Sequence, residues 1–200
     1  MCYFFELTHN ASQIAMRFKA KFKDENAFHP SEYKGFEYPM TPVITNEDPQ
    51  EIDLFHWGLV PYWAKPENIR KYTINARIET IAQKPAFKEY IHNRCIILAD
   101  GFYEWQWLDP KGIHKQKYHL AAQDRSLFAF AGLWNIWNDP VSGKTYPSYT
   151  LLTMEANPMM SIIHNVNKRM PVILQPGSEK EWLKGENLIP GDAIIIAEKI

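Results

Sequence analysis

At 200 residues, with 46% hydrophobic and 22% charged residues, the chain has the proportions of one soluble globular domain with a full core. Its formal net charge of −1 argues against a general nucleic-acid coat protein, although 22 Lys and Arg leave room for a local basic groove. Two cysteines make no disulfide framework, and neither a signal peptide nor an apolar run of about 18 residues is present, so a cytoplasmic chain with reduced thiols is expected.

The chain opens Met1-Cys2. Removal of Met1 would leave a free α-amine beside a thiol, a 1,2-aminothiol able to condense with an aldehyde into a five-membered thiazolidine. The alternative for Cys2 is a small buried residue on a first strand, since Cys2 to Leu7 is apolar and aromatic. A helix over Gln13 to Phe22, capped by Asn10 or Ser12, follows, and His29 to Pro42 reads as loop. Pro42 to Thr45 and Glu51 to Trp57 form a hairpin across Asn46 to Gln50, and Gly58 to Pro66 is a turn region. Thr80 to Tyr90 is a short helix broken by Pro85. Arg94 to Ala99 is a buried strand that places Cys95 in the core, and Gly101 to Trp107 is the next strand. Turns at Asp109 to Gly112 and Asn138 to Gly143 separate strands at Tyr118 to Ala122, Phe128 to Trp137 and Tyr149 to Met154. A helix at Asn157 to Ile163 has Pro158 in its first turn. A strand at Val172 to Leu174, a helix at Ser178 to Leu183 and an apolar run at Ala193 to Ala197 complete the chain. Many short strands with few helices predict a single α+β domain spanning the whole chain. Its core is curved, barrel-like and largely antiparallel, with short flanking helices.

Nucleotide-binding, zincin and serine-hydrolase signatures are absent. The seven histidines show no zinc spacing; His114 and His119, five apart beside a turn, read as surface residues. No metal or cofactor is expected. Aromatics reach 14%, which suits either a bulky core or exposed rings that stack on single-stranded nucleic acid.

Four segments stand out: Met1-Cys2; Trp57-Gly58-Leu59-Val60-Pro61-Tyr62-Trp63 with Asn75-Ala76-Arg77-Ile78-Glu79-Thr80; Ala99-Asp100-Gly101-Phe102-Tyr103-Glu104-Trp105; and His164 to Leu174, containing Arg169-Met170-Pro171. In this order they resemble the SOS-response-associated peptidase (SRAP) family of abasic-site-processing proteins, over Cys2 to about Leu174. The resemblance implies a β-barrel-like α/β fold, recognition of abasic sites in single-stranded DNA, and a covalent thiazolidine link through Cys2. It also implies a role for Glu104 in acid/base chemistry. Two departures stand out. The commoner family spacing puts one residue between His and Arg, where this chain has four, Asn165 to Lys168; an enlarged turn is expected. Many members follow the Cys with Gly and Arg, where this chain has Tyr3 and Phe4, which either stack or join the core.

The chemistry assigns roles. An α-amine with a pKa of about 7.7–8.0 is partly neutral near physiological pH and attacks the open-chain aldehyde of the lesion. The Cys2 thiol then adds to the imine carbon. Glu104, between Tyr103 and Trp105 on an apolar strand, is a raised-pKa acid/base or the partner of an arginine. His164 either protonates the sugar ring oxygen or is a helix-terminal imidazole held by a backbone carbonyl. Asn75 would hold a sugar hydroxyl or the attacking amine. Arg77 and Arg169 are phosphate clamps or ion-pair partners of Glu79 or another carboxylate. Trp63 and Pro61 form a wall against flanking bases or a corner of the core. The expected partner is thus abasic single-stranded DNA, bound by a monomer with no membrane attachment. An N-terminal-nucleophile peptidase or amidohydrolase using Cys2, and a non-catalytic single-strand binder, are the competing readings.

Overall fold

The computed structural model describes residues 2–186 and 195–200. Strand β1 (Phe4–Leu7) leads into helix α1 (Ala11–Phe18). Asn10 caps α1, accepting from the Gln13 amide while the Gln13 side chain accepts from the Asn10 amide. Lys19, in the left-handed region, ends α1 before the expected Phe22, and strand β2 (Lys21–Phe22) follows. The expected loop at 29–42 instead contains strand β3 (Ser31–Lys34) and the start of β4 (Met40–Thr45). Strand β5 (Glu51–Trp57) makes the expected antiparallel hairpin with β4. Helix α2 (Pro66–Thr73), which the sequence reading missed, precedes the short strand β6 (Asn75–Arg77). Two 3-10 turns at Ile81–Gln83 and Lys88–Tyr90 replace the broken helix.

The central strands lie where hydrophobic patterning put them: β7 (Arg94–Ala99) and β8 (Gly101–Trp107) have the expected bounds, and β9 (Lys115–Ala122), β10 (Phe128–Asn138) and β11 (Thr145–Glu155) are longer than expected. Helix α3 (Pro158–Ile163) is capped by Asn157. Strands β12 (Arg169–Pro171) and β13 (Ile173–Leu174), helix α4 (Glu179–Leu183) and strand β14 (Ile195–Lys199) finish the chain. Ser178 precedes α4 without a side-chain cap. Ala193 and Ile194, in the expected last apolar run, lie outside the described residues, as does Met1.

Strands β5, β4, β7, β10 and β11 pair in turn, antiparallel, and β11 returns to β5 in parallel, which closes a five-stranded barrel. A second sheet, ordered β14-β9-β8-β1-β3, lies beside it. The two are joined where β7 runs through Asp100 into β8. Asp100 is buried and its Oδ2 accepts from the Thr8 and His9 amides and the Thr8 hydroxyl, so it ties this bend to the end of β1. Phe5 packs against Trp57 and Phe130, with ring centroids 5.0 and 5.8 Å away, and Phe102 meets Phe130 at 5.8 Å. These rings form the seam between sheet and barrel and fix β1, the strand that follows Cys2. Among the described residues no helix is long and apolar enough to cross a membrane.

Candidate active site

Strand alternation puts Phe102 and Glu104 on the inner face of β8 and Tyr103 and Trp105 on the other. Glu104 is therefore 4% exposed. Burial pushes its carboxyl up to about 7, with the positive amino terminus opposing. The β1–β8 ladder, which pairs Phe5 with Phe102, leads back through Tyr3 to Cys2. Burial also raises the Cys2 thiol, and the Glu104 carboxylate raises it further. A thiol held neutral must give up its proton as sulfur forms a bond, and Glu104 is a titratable group that acts on it.

Asn75 reaches the same place from the barrel. Strand β6 pairs in parallel with β11, Asn75 opposite Leu151 and Arg77 opposite Thr153. Ala76 faces the core, so Asn75 and Arg77 share the other face. The Asn75 amide Nδ2 donates to the Cys2 carbonyl at 2.9 Å. Its Oδ1 is buried and accepts no hydrogen bond among the described residues, which leaves an acceptor available for an incoming hydroxyl or amine. Arg77 is exposed, and no ion pair engages it among the described residues.

The segment from Gly58 to Ile74 is a detour in one sheet edge, because β5 and β6 both pair with β11. Gly58 has φ 118°, and a Cβ there would lie 3.0 Å from the Arg70 Cβ, so the detour begins at a position only glycine fits well. The Val60 amide donates to Ser148 Oγ and its carbonyl accepts from Asn135 Nδ2. These bonds bury Pro61 and leave Tyr62 (72% exposed) and Trp63 (51%) at the tip. Of the expected apolar wall, Pro61 is the buried corner. Tyr62, which the sequence reading quoted without a role, is the exposed ring beside Trp63.

His164 ends α3, where its amide donates to Met160 O. The four-residue turn leaves both ends in place: the Lys168 amide donates to His164 O at 2.9 Å, and Lys168 takes φ 49°. The Arg169 amide then donates to His164 Nδ1 at 3.1 Å. The imidazole is thus held by a backbone N–H rather than the anticipated carbonyl. Burial, then the positive amino terminus, lowers its pKa to about 4, so it is neutral at pH 7.

Arg169 takes the alternative role left open for it. It is 8% exposed, its guanidinium grips both oxygens of Glu79 at 2.8 Å, and Nη2 also donates to Thr153 O. A phosphate at Arg169, its other reading, would have to displace Glu79. Asn165 was missed: its amide exchanges two hydrogen bonds with the Trp107 backbone and pins the enlarged turn to β8. Nothing local in the sequence marks this pairing. Tyr3 and Phe4 are half-buried rather than core. Tyr3 lies 4.9 Å from the exposed Phe36 ring, and Phe4 stacks outside β8 near Tyr103, Trp105 and the Lys117 ammonium. His119 pairs with Glu6 at 2.6 Å rather than standing free at the surface.

A family model described as SOS response associated peptidase (SRAP) matches residues 1–195. The chain is similar to the abasic site processing protein YoqW of Bacillus subtilis (strain 168), 40% identical over 192 residues covering 95% of this chain and 83% of that protein. It is also similar to the abasic site processing protein HMCES of Xenopus tropicalis, 33% identical over 168 residues, 72% of this chain and 48% of that one. Among solved structures it superposes on a Bacteroides thetaiotaomicron protein with TM-score 0.88 and 28% identity, covering 100% and 92% of the two chains. A Bordetella bronchiseptica protein gives TM-score 0.82 and 26% identity, covering 100% and 99%.

Proposed function

The chain belongs to the SOS response associated peptidase (SRAP) family, and on that premise we propose that it processes abasic sites in single-stranded DNA. In this reading Cys2, freed of Met1, closes a thiazolidine on the lesion and shields it from strand cleavage. The observation that carries the proposal is the convergence on Cys2: Asn75 Nδ2 donates to its carbonyl at 2.9 Å, and the buried Glu104 carboxyl acts on its buried thiol.

The steps use groups already in place. The C1′ hydroxyl gives its proton to the ionised Glu104 carboxylate as the bond from C1′ to the ring oxygen breaks; the departing ring oxygen accepts a hydrogen bond from His164 Nε2 and takes the proton back from Glu104, so both groups end as they began. The α-amine attacks C1′, water leaves, and an imine forms. The thiol adds across that C=N bond: sulfur bonds to carbon, the nitrogen gains the proton, and Glu104 relays it. Asn75 holds the Cys2 carbonyl and so fixes the direction of the amine. Arg77 takes a phosphate flanking the lesion, and Tyr62 and Trp63 stack on neighbouring bases. The chemistry calls for no metal or cofactor. Removal of Met1, by this same site or by an aminopeptidase, is the required first step, and the same imine would permit some strand-cleaving lyase activity. The protein acts as a cytoplasmic monomer in this reading.

The test is incubation of the Met1-processed protein with single-stranded DNA carrying one abasic site. The expected product is a heat-stable band with the mass of protein plus DNA less one water. Cys2→Ala should lose that band while borohydride still traps an imine. An equally heat-stable adduct from Cys2→Ala would overturn the thiazolidine, and peptide turnover without any DNA adduct would favour an N-terminal-nucleophile hydrolase.

A further inference from the structure

Resting on the reading of His164 as the hydrogen-bond donor to the opening sugar, we infer that the Glu79–Arg169 ion pair is a positioning device that keeps the His164 proton on Nε2. A backbone N–H can only donate, so the bond from the Arg169 amide to Nδ1 requires that nitrogen to be bare. The neutral ring then carries its proton on Nε2, the donor that the ring-opening step needs. The Arg169 amide is held by the β11–β12 ladder, by the Ala156 amide on Lys168 O, and by its own side chain. Both guanidinium arms bind Glu79, and one also binds the Thr153 carbonyl on β11. That anchors β12 at the position where Arg169 pairs with Glu155. The other end of the turn is fixed by Asn165 on Trp107. Arg169 and Glu79 touch no reacting atom; they act through the orientation and tautomer of the imidazole. The same logic governs a buried carboxylate behind a catalytic histidine.

The experiment uses the Met1-processed, histidine-15N-labelled protein without DNA, and long-range proton–nitrogen spectra at pH 7. His164 of the wild type should show a protonated Nε2 and an acceptor-type Nδ1. Glu79→Gln and Arg169→Lys should each populate the other tautomer and slow crosslinking roughly 10–100-fold, as loss of an outer positioning partner does. Affinity for intact single-stranded DNA should hold or rise, since the cation is released. A wild-type ring protonated on Nδ1 overturns the inference without any variant. So does a variant with unchanged tautomer and rate, or one whose rate falls only in step with DNA affinity, which would make Arg169 a phosphate contact. A wild type that shows the Nε2 proton yet never crosslinks abasic DNA would sink the proposed function instead, and leave the positioning of the ring established.

Discussion

Glu104 carries the sharpest conflict between stability and chemistry. Its carboxyl is raised from 4.5 to about 7 chiefly by burial, so the folded state prefers it protonated. Its contribution to stability is therefore fully present below about pH 4.5 and is lost as the pH rises through about 7, an effect of about 3 kcal/mol. Glu104→Gln removes that penalty. The variant should melt at a higher temperature than wild type at pH 8, match it at pH 4.5, and crosslink about 100-fold more slowly, as read by calorimetry and gel shift. Equal melting differences at both pH values would show that the carboxyl is not titrating near neutrality. At this scale the sequence was informative: a carboxylate between two aromatic residues on an apolar strand already signals an unusual acid. Arg169 was half legible: its pairing with Glu79 was one of two readings, but both readings satisfy the same local pattern, so the sequence alone did not choose. The proton inventory of His164 was likewise hidden, since a turn amide, not a side chain, sets it.

Among the elements, the long apolar strands β7 to β11 were plain from residue pattern, because each buries a continuous face. The misread pieces are short and polar. Strand β3 has only Tyr33 buried and sits at the sheet edge between prolines, so its pairing with β1 leaves little trace in the sequence. Helix α2 has one buried residue, Thr73, and is specified more by Pro66 at its start than by an apolar stripe. Gly101, part of the motif that marks β8, has a cross-strand cause: a Cβ there would come within 2.5 Å of Glu6 Oε1 and 2.6 Å of His119 Nε2, a pair bonded directly across it. The seam at Phe5 makes the element-level test. Phe5→Ala opens a cavity against Trp57 and Phe130 and should cost about 3–5 kcal/mol in urea denaturation. A loss below about 1 kcal/mol would mean that β1 is not anchored by this contact.

For the whole molecule, a net charge of −1 implies that undamaged DNA is held weakly and by few cations. Arg77, exposed beside Asn75, is the proposed contributor. Arg77→Ala should lower affinity about equally for all sequences and reduce the slope of log affinity against log salt by about 1. An unchanged slope would move the phosphate contact elsewhere. The barrel closes through a parallel pairing between β5 and β11, strands far apart in the chain, and the proposed site residues are spread just as widely. Cys2 is translated first, Asn75 and Glu104 follow from the middle, and His164 comes from the last fifth. Contacts of such long sequence separation form late and slowly. The proposed aldehyde chemistry would therefore be a product of completed folding. A chain halted before α3 carries Cys2, Asn75 and Glu104 but no His164, and one halted before β11 also lacks the strand against which Asn75 is seated, so the proposed set of groups is complete only when the fold is finished.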